Sequence, residues 1–310
     1  MTEPRKLTII TVTFWLDRGA LQLQARSLRC FLDPEMLDEF IIVVSDNDPR
    51  MLQFVQTTIL TELGGLAGRV RMRSPGDYGC HLQSQSGWRL QQALKLAAVA
   101  AASTPVTLIL DSKNHLVRRL TTSDLFTTTG KLRSWSAVHW GHMQRFFEAS
   151  FAYMGVPFRP YIGASLPTIT PFLASRCTVK RLIEDIEKRE GENLFSFFLR
   201  PGNDVTEFFL IMACLIKEHG NVEYEYDLGP PLGITVFVNN IENDELESLT
   251  EPVRLGTVPF FAVHWSTIPK MTDKQKRLLT DLWEAAGLVS AHEADAVLER
   301  CGHLRPGALA

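Results

Sequence analysis

The stretch VTLILDSKNHL, residues 106–116, decides the fold. Residues 106–110 are apolar or β-branched throughout, the pattern of a strand covered on both faces, and the chain turns polar at Asp111. Such strands belong to parallel sheets flanked by helices, and these sheets bind ligands outside the carboxyl ends of their strands. Asp111 is thereby predicted at a ligand edge, where a buried carboxylate needs a cation or hydrogen-bond donors to offset its desolvation. The competing role for a strand-end Asp is capping the turn that follows.

Working outward, WRLQQALKLAAVAAA (Trp88–Ala102) reads as a helix feeding this strand. Upstream lie a strand at Leu7–Thr13, a helix at Asp17–Phe31 and a strand at Phe40–Val44. A further helix starts at Pro49 and closes at Gly64-Gly65, and Arg69–Arg73 alternates like an edge strand. The first 110 residues therefore read β-α-β-α-β-α-β, and the expected class is α/β with a mostly parallel sheet flanked by helices. The carboxyl-end rule marks Thr13–Asp17, Asp46–Asp48 and Asp111–His115 as the site. Beyond residue 120 the pattern loosens. Helices are expected at Gly141–Met154, at Val179–Arg189 behind the cap Thr178, and at Val205–His219, stopped by Gly220. Another is expected at Asp273–Ala286, behind a Thr272/Gln275 capping box. Short strands are expected at Asn221–Glu225, Thr235–Val238 and Pro259–His264. No repeat or low-complexity linker divides the chain, so a single domain with an elaborated C-terminal half is predicted.

Composition narrows the function. A formal net charge of −3 offers no basic face for nucleic acid. The five cysteines are scattered and form no CxxC pair, as expected of a reduced, cytoplasmic protein without structural zinc. No run of about 18 apolar residues predicts a membrane span, and the opening MTEPRKLTIITVTFW is too short and alternating for a signal peptide. A lipid-linked substrate would have to be met from the side of the membrane. GxGxxG, Walker and GxSxG sequences are missing, which argues against a dinucleotide oxidoreductase, a P-loop ATPase and an α/β-hydrolase.

GWRLQQALKLAAV followed by LILDSKNHL resembles a group of bacterial GT-A-type glycosyltransferases, whose pattern is a Gln-Gln-x-x-Lys-Leu helix, a hydrophobic strand and an Asp-x-Asp-like motif. TIITVTFWLDRGALQLQARSLRCFL is similar to their first strand and helix, NDVTEFFLIMACLI to a later helix, and VPFFAVHWS to their final strand with its His. The resemblance is spread over residues 7–265 and implies a GT-A-like fold. It further implies transfer of a sugar from a nucleotide-sugar donor to a saccharide or lipid-linked acceptor, in cell-surface polysaccharide or glycolipid synthesis. Residues 1–120 would form the nucleotide-sugar-binding half and residues 121–310 the acceptor-side half of one compact domain. The place would be the cytoplasm or, peripherally, the inner membrane face.

Residue by residue, the resemblance sets Thr11, Thr13 and Asp17 beside the nucleotide and Asp46 near the base or ribose. Gln92 and Lys95 would support the donor from the helix, Lys95 reaching toward a phosphate, with Lys113 and Asn114 also on the donor side. Asp111 would hold the first position of the metal-associated motif, Glu207 or Asp204 would face the acceptor as the catalytic carboxylate, and His264 would touch the diphosphate or a metal. The departure is Lys113, which stands where the family pattern has a second acid. A divalent cation wants several oxygen ligands, and Asp111 supplies few. Two cofactor expectations follow: Mn2+ or Mg2+ on Asp111 and His264, or little metal dependence with Lys113 neutralising the leaving group.

Plainer readings stand beside these. Gln91, Gln92 and Lys95 would be a solvated helix face, and Asp204 with Glu207 a capping box. Trp135, His139, Trp140 and His142 would be packing rather than an acceptor platform. The loop HLQSQSGW (residues 81–88) suits closure over a ligand, as many loops do. At the level of the whole chain, the alternative is a non-catalytic nucleotide- or sugar-binding protein that keeps the fold. A nucleotidyltransferase would need a Gly-rich basic loop after the first strand, and FWLDRG is not one.

Overall fold

The computed structural model describes residues 5–46, 48–80 and 87–302. Along the chain the strands are β1 (Leu7–Thr13), β2 (Leu37–Val44), β3 (Val70–Arg73), β4 (Val106–Asp111), β5 (His115–Leu116), β6 (Leu132–Trp135), β7 (Phe172–Ser175), β8 (Tyr226–Gly229), β9 (Gly233–Val236) and β10 (Phe260–Val263). The main sheet runs β3-β2-β1-β4-β7, parallel except for β7, which pairs antiparallel with β4. Thr13 pairs with Val44 and Val12 with Asp111, so the carboxyl ends of β1, β2 and β4 finish together and define one edge. Two smaller sheets, β5-β10-β9 and β6-β8, lie beside it. This is the α/β architecture that alternation in the first 110 residues predicts.

Burial explains the layers. Every residue of β1 is buried, and β2 is buried from Phe40 onward. The helices Trp88–Ala101 and Glu207–His219 join this sheet in one hydrophobic core. A second core is built from residues 236–301 plus Leu23. The Arg18–Phe31 helix is the wall between the two: Leu21, Ala25 and Leu28 face the first core and Leu23 the second. No helix among the described residues is long and apolar enough to cross a membrane.

Several boundaries differ from expectation for local reasons. The Arg176–Glu190 helix is capped by the Ser175 side chain rather than by Thr178, whose hydroxyl instead donates to Glu225. The Glu207–His219 helix starts two residues later than predicted with Thr206 as N-cap, so Asp204 lies outside it and no Asp204–Glu207 capping box forms. Residues 221–225 make a turn, with Asn221 Oδ1 accepting from the Tyr224 amide, and the strand is displaced to β8. The Gly141–Met143 turn is 3-10, leaving the α-helix to Gln144–Met154. The Thr272/Gln275 capping box does form, ahead of Asp273–Ala285. Residues 81–86 of the loop read as a ligand cover lie outside the described residues.

Where the Arg18–Phe31 helix meets the Ala294–Cys301 helix, a Cβ on Gly19 would stand 2.6 Å from the Arg300 backbone. In an open helix Gly→Ala gains about 1 kcal/mol. Here Gly19→Ala is expected to lower stability by about 1–3 kcal/mol, because backbone rather than a movable side chain blocks the methyl. Urea unfolding of the variant checks this, and a stabilised Gly19→Ala would show that the two helices do not pack this closely.

Candidate functional site

The site is assembled at the end of β4. Lys95 comes from the Trp88–Ala101 helix, and it is 8% exposed. Its ammonium donates to Asp111 Oδ1 at 2.9 Å and to Glu207 Oε1 at 3.3 Å. The other Asp111 oxygen accepts from the Lys113 ammonium. Two ammonium and two carboxylate groups thus form one neutral cluster, in which Lys95 and Glu207 are buried and Asp111 and Lys113 reach the surface. Lys95 also lies 5.3 Å from the Phe208 ring, whose face favours a cation.

Electrostatics follow from this packing. Burial opposes the Lys95 charge, but Asp111 and Glu207 outweigh it and hold the ammonium above its ordinary range. Burial likewise opposes the Asp111 carboxylate, and Lys113 with Lys95 reverses that, holding it well below the usual range. Glu207 goes the other way: burial raises its pKa and Lys95 offsets this only in part.

The turn after β4 is held from several sides. The Asn114 side chain accepts from the Asp111 amide at 2.7 Å and donates to Thr170 O at 3.1 Å. Gln24 donates to Asp111 O and Asn114 O at 2.8 and 2.9 Å, and its own Oε1 accepts from Thr11. Ser112 donates to Thr13 Oγ1 at 3.0 Å, and Ser45 donates to Thr13 O. Thr11 and Thr13 therefore support the strand ends from inside: both are fully buried with their hydroxyls engaged. Asn114 is also buried and shapes the turn.

The remaining positions spread around this edge. Asp46 Oδ2 accepts from the Trp15 amide at 2.7 Å, while its Oδ1 is buried with no hydrogen-bond partner among the described residues and burial raises its pKa. The Trp15 ring is covered by the Arg18 and Arg50 guanidinium groups at 4.5 and 4.6 Å. Asp17 closes the short turn Trp15–Asp17 ahead of the Arg18–Phe31 helix. Gln92 is buried rather than solvated, and neither end of its amide has a partner among the described residues. Arg89, one turn before it, donates to Val205 O at 2.7 Å and feels the charges of Asp204 and Glu207. Asp204 is half-buried on the segment leading into Glu207. His139 is packing: it stacks on Phe147, and its Nε2 bonds Leu166 O at 2.8 Å. Trp140 is 59% exposed. His264 follows β10 and shares a 2.7 Å hydrogen bond with Ser266. Among the described residues no three His, Cys, Asp or Glu side chains converge as a cation site, and both Asp111 oxygens already face ammonium groups. A divalent cation wants several oxygen ligands, and the described neighbours of the Asp111 carboxylate are the two ammonium groups.

The sequence does not single out Gln24 or Trp283, and it marks His115 only as the end of the Asp111–His115 segment. Gln24 shares the apolar face of Leu21, Ala25 and Leu28, and a polar residue at that spacing is a usable signal. His115 is 2% exposed and accepts at Nε2 from Trp283 Nε1 at 2.9 Å. Burial pulls its pKa down from 6.5 to about 4.

A mostly parallel α/β sheet with a charged cluster at its carboxyl edge is the class that fold and site define. The chain belongs to a family of unknown function, DUF6492, whose model matches residues 15–228. No protein of curated function matches it in sequence. Among solved structures it is similar to the bifunctional glycosyltransferase WbbM in its apo form, at 10% identity and a TM-score of 0.51, over 97% of this chain and 52% of that one. It also matches the galactosyltransferase LgtC in complex with donor and acceptor sugar analogs (12% identity, TM-score 0.48, 93% of this chain and 99% of that one). A third match is the glycosyltransferase GlyE of Streptococcus pneumoniae TIGR4 (13%, 0.44, 95% and 62%). The fold is GT-A-like.

Two outcomes follow from the site. Lys95→Met strands Glu207 in the interior and is expected to cost about 3–5 kcal/mol. Adding Glu207→Gln should return a large part of that loss, and urea unfolding of the wild type, both single variants and the double variant reads the coupling. Separately, the low His115 pKa means that protonation favours the unfolded chain. Its contribution is complete above about pH 6.5 and lost as pH falls through about 4, worth about 3 kcal/mol over that window. His115→Gln should flatten the wild-type stability slope between those pH values in thermal melts.

Proposed function

We propose that this protein is a glycosyltransferase that binds a nucleoside-diphospho-sugar at the carboxyl edge of β1, β2 and β4. The observation that carries the reading is the Lys95–Asp111–Lys113 charge cluster at the end of β4, set at the ligand edge of a GT-A-like sheet. Lys113 supplies the cationic charge that a metal would otherwise bring to the leaving diphosphate. Lys95 is buried between Asp111 and Glu207 and, with Lys113, holds Asp111 ionised. Asp46 and the Trp15–Arg18–Arg50 stack border the nucleoside end, and Asp17 lies beside them.

Glu207 acts through Lys95 as a positioning residue. Asp204, half-buried on the segment before it, is the carboxylate that an acceptor reaches. In the transfer the acceptor oxygen bonds the anomeric carbon, and the bond from that carbon to the diphosphate oxygen breaks. The electron pair leaves with the nucleotide, and the acceptor proton passes to Asp204. The acceptor is a saccharide or a lipid-linked saccharide, residues 121–310 form its side of the molecule, and the setting is cell-surface polysaccharide or glycolipid synthesis. A second reading, a nucleotide- or sugar-binding protein without turnover, draws on the same feature: both Asp111 oxygens are already held by lysines.

Thermal melts with UDP, GDP, CDP, CMP and TDP, each with manganese and with chelator, test the donor site. One nucleotide at about 100 times its Kd should add about 2.7 kcal/mol to the folded state, equally in chelator, and Lys113→Ala should lose the shift. A shift that needs manganese overturns the role of Lys113, and no shift with any nucleotide overturns the donor site. Release of nucleotide from the matching nucleotide-sugar separates the enzyme from the binding protein, and Asp204→Asn should lower that rate at least tenfold.

A further inference from the structure

We propose that Trp283 positions Lys113 through His115, so that the C-terminal layer sets the cationic arm of the site. The proposal takes the role of Lys113 from the donor reading above, while the relay itself is argued from geometry alone.

Lys113 sits on the turn Asp111–Asn114, closed by the Asn114 amide donating to Asp111 O at 2.9 Å. Gln24 holds the carbonyls of Asp111 and Asn114, as described. The Lys113 carbonyl is met instead by His115 Nδ1 at 3.1 Å. On the far side of the ring Trp283 Nε1 lies 2.9 Å from His115 Nε2. The chemistry of the two neighbours fixes the tautomer. An indole N–H can only donate and a carbonyl can only accept, so Nε2 is the bare nitrogen and Nδ1 carries the proton. The ring is therefore a one-way connector from indole N–H to the Lys113 carbonyl. It cannot flip without breaking both bonds, and each break would leave a buried polar group unpaired.

The ring is also boxed in. Phe261 and Trp283 meet it edge-on with centroids 5.7 and 5.8 Å away, and Trp283 is 1% exposed. Phe261 belongs to β10, which pairs with β5 at His115 itself. Trp283 belongs to the Asp273–Ala285 helix in the second core. Both elements lie outside residues 15–228, the part matched by the family model. A segment outside the matched residues thus fixes the backbone of the lysine whose ammonium pairs with Asp111.

The test uses the full chain with lysines 13C-dimethylated, the Lys113 signal assigned by Lys113→Arg, and 15N-labelled histidine. In the wild type His115 should show a protonated Nδ1 and a bare Nε2. Trp283→Phe keeps an aromatic ring and removes the donor; it should shift the Lys113 methyl signals. It should also weaken binding of the nucleotide found in the thermal series by about three- to tenfold, the loss of one hydrogen bond. Leu279→Ala, which opens the same helix's buried face but keeps the indole N–H, should leave the Lys113 signals in place. Unmoved Lys113 signals in Trp283→Phe, equal movement in Leu279→Ala, or the opposite tautomer in the wild type each overturn the relay. If the wild type binds none of the nucleotides, the donor reading falls and the ligand-free Lys113 signals still decide the relay.

Discussion

The structure depends on one buried ammonium. Lys95 lies where the helix before β4, the end of β4 and the start of the Glu207–His219 helix converge, and each of the last two brings a carboxylate to it. A lone charge in that position would cost several kcal/mol. With two partners it fastens residues 112 positions apart in sequence and, together with Lys113, keeps Asp111 ionised at the surface end of the cluster. The main sheet aligns its strand ends at this point, and the first hydrophobic core closes beneath it.

Around that ammonium the chain builds the site from two layers. The sheet layer supplies rigidity: the buried hydroxyls and amides of Thr11, Thr13, Gln24, Ser112 and Asn114 satisfy one another and leave the turn after β4 little freedom. The C-terminal layer supplies position, because β10 and the helix carrying Trp283 reach the same turn through His115. The Arg18–Phe31 helix belongs to both layers, with Gly19 against the Ala294–Cys301 helix and Leu23 in the second core. Side chains that reach solvent at this edge, half-buried Lys113 and exposed Arg50, stand on a frame whose own polar groups are largely paired. Preorganised charge of this kind acts on a ligand without first having to be ordered.

Much of this was legible in the sequence, and the limits have physical causes. The uninterrupted apolar and β-branched runs at residues 7–13 and 106–110 announce buried parallel strands, and Asp111 is readable as a ligand-edge residue because it ends one of them. The strands β5, β6 and β7 are two to four residues long, too short for any periodicity to show. Two caps were misplaced because competing Ser, Thr and Asp residues stand within three positions of each other, and only geometry says which side chain meets the amides. By spacing alone Lys95 reads as part of a solvated helix face, and only the resemblance sets it beside the donor; its burial against Glu207 shows in neither. His115 and Trp283 are 168 residues apart, and nothing local signals that an indole will meet that imidazole.

The most direct measurement is a crystal structure with the stabilising nucleotide bound, collected with manganese present at its anomalous edge. The account expects the diphosphate against the Lys113 ammonium at the end of β4, with no manganese peak at Asp111. A manganese ion bridging Asp111 and the diphosphate, or a nucleotide bound away from the ends of β1, β2 and β4, would defeat it.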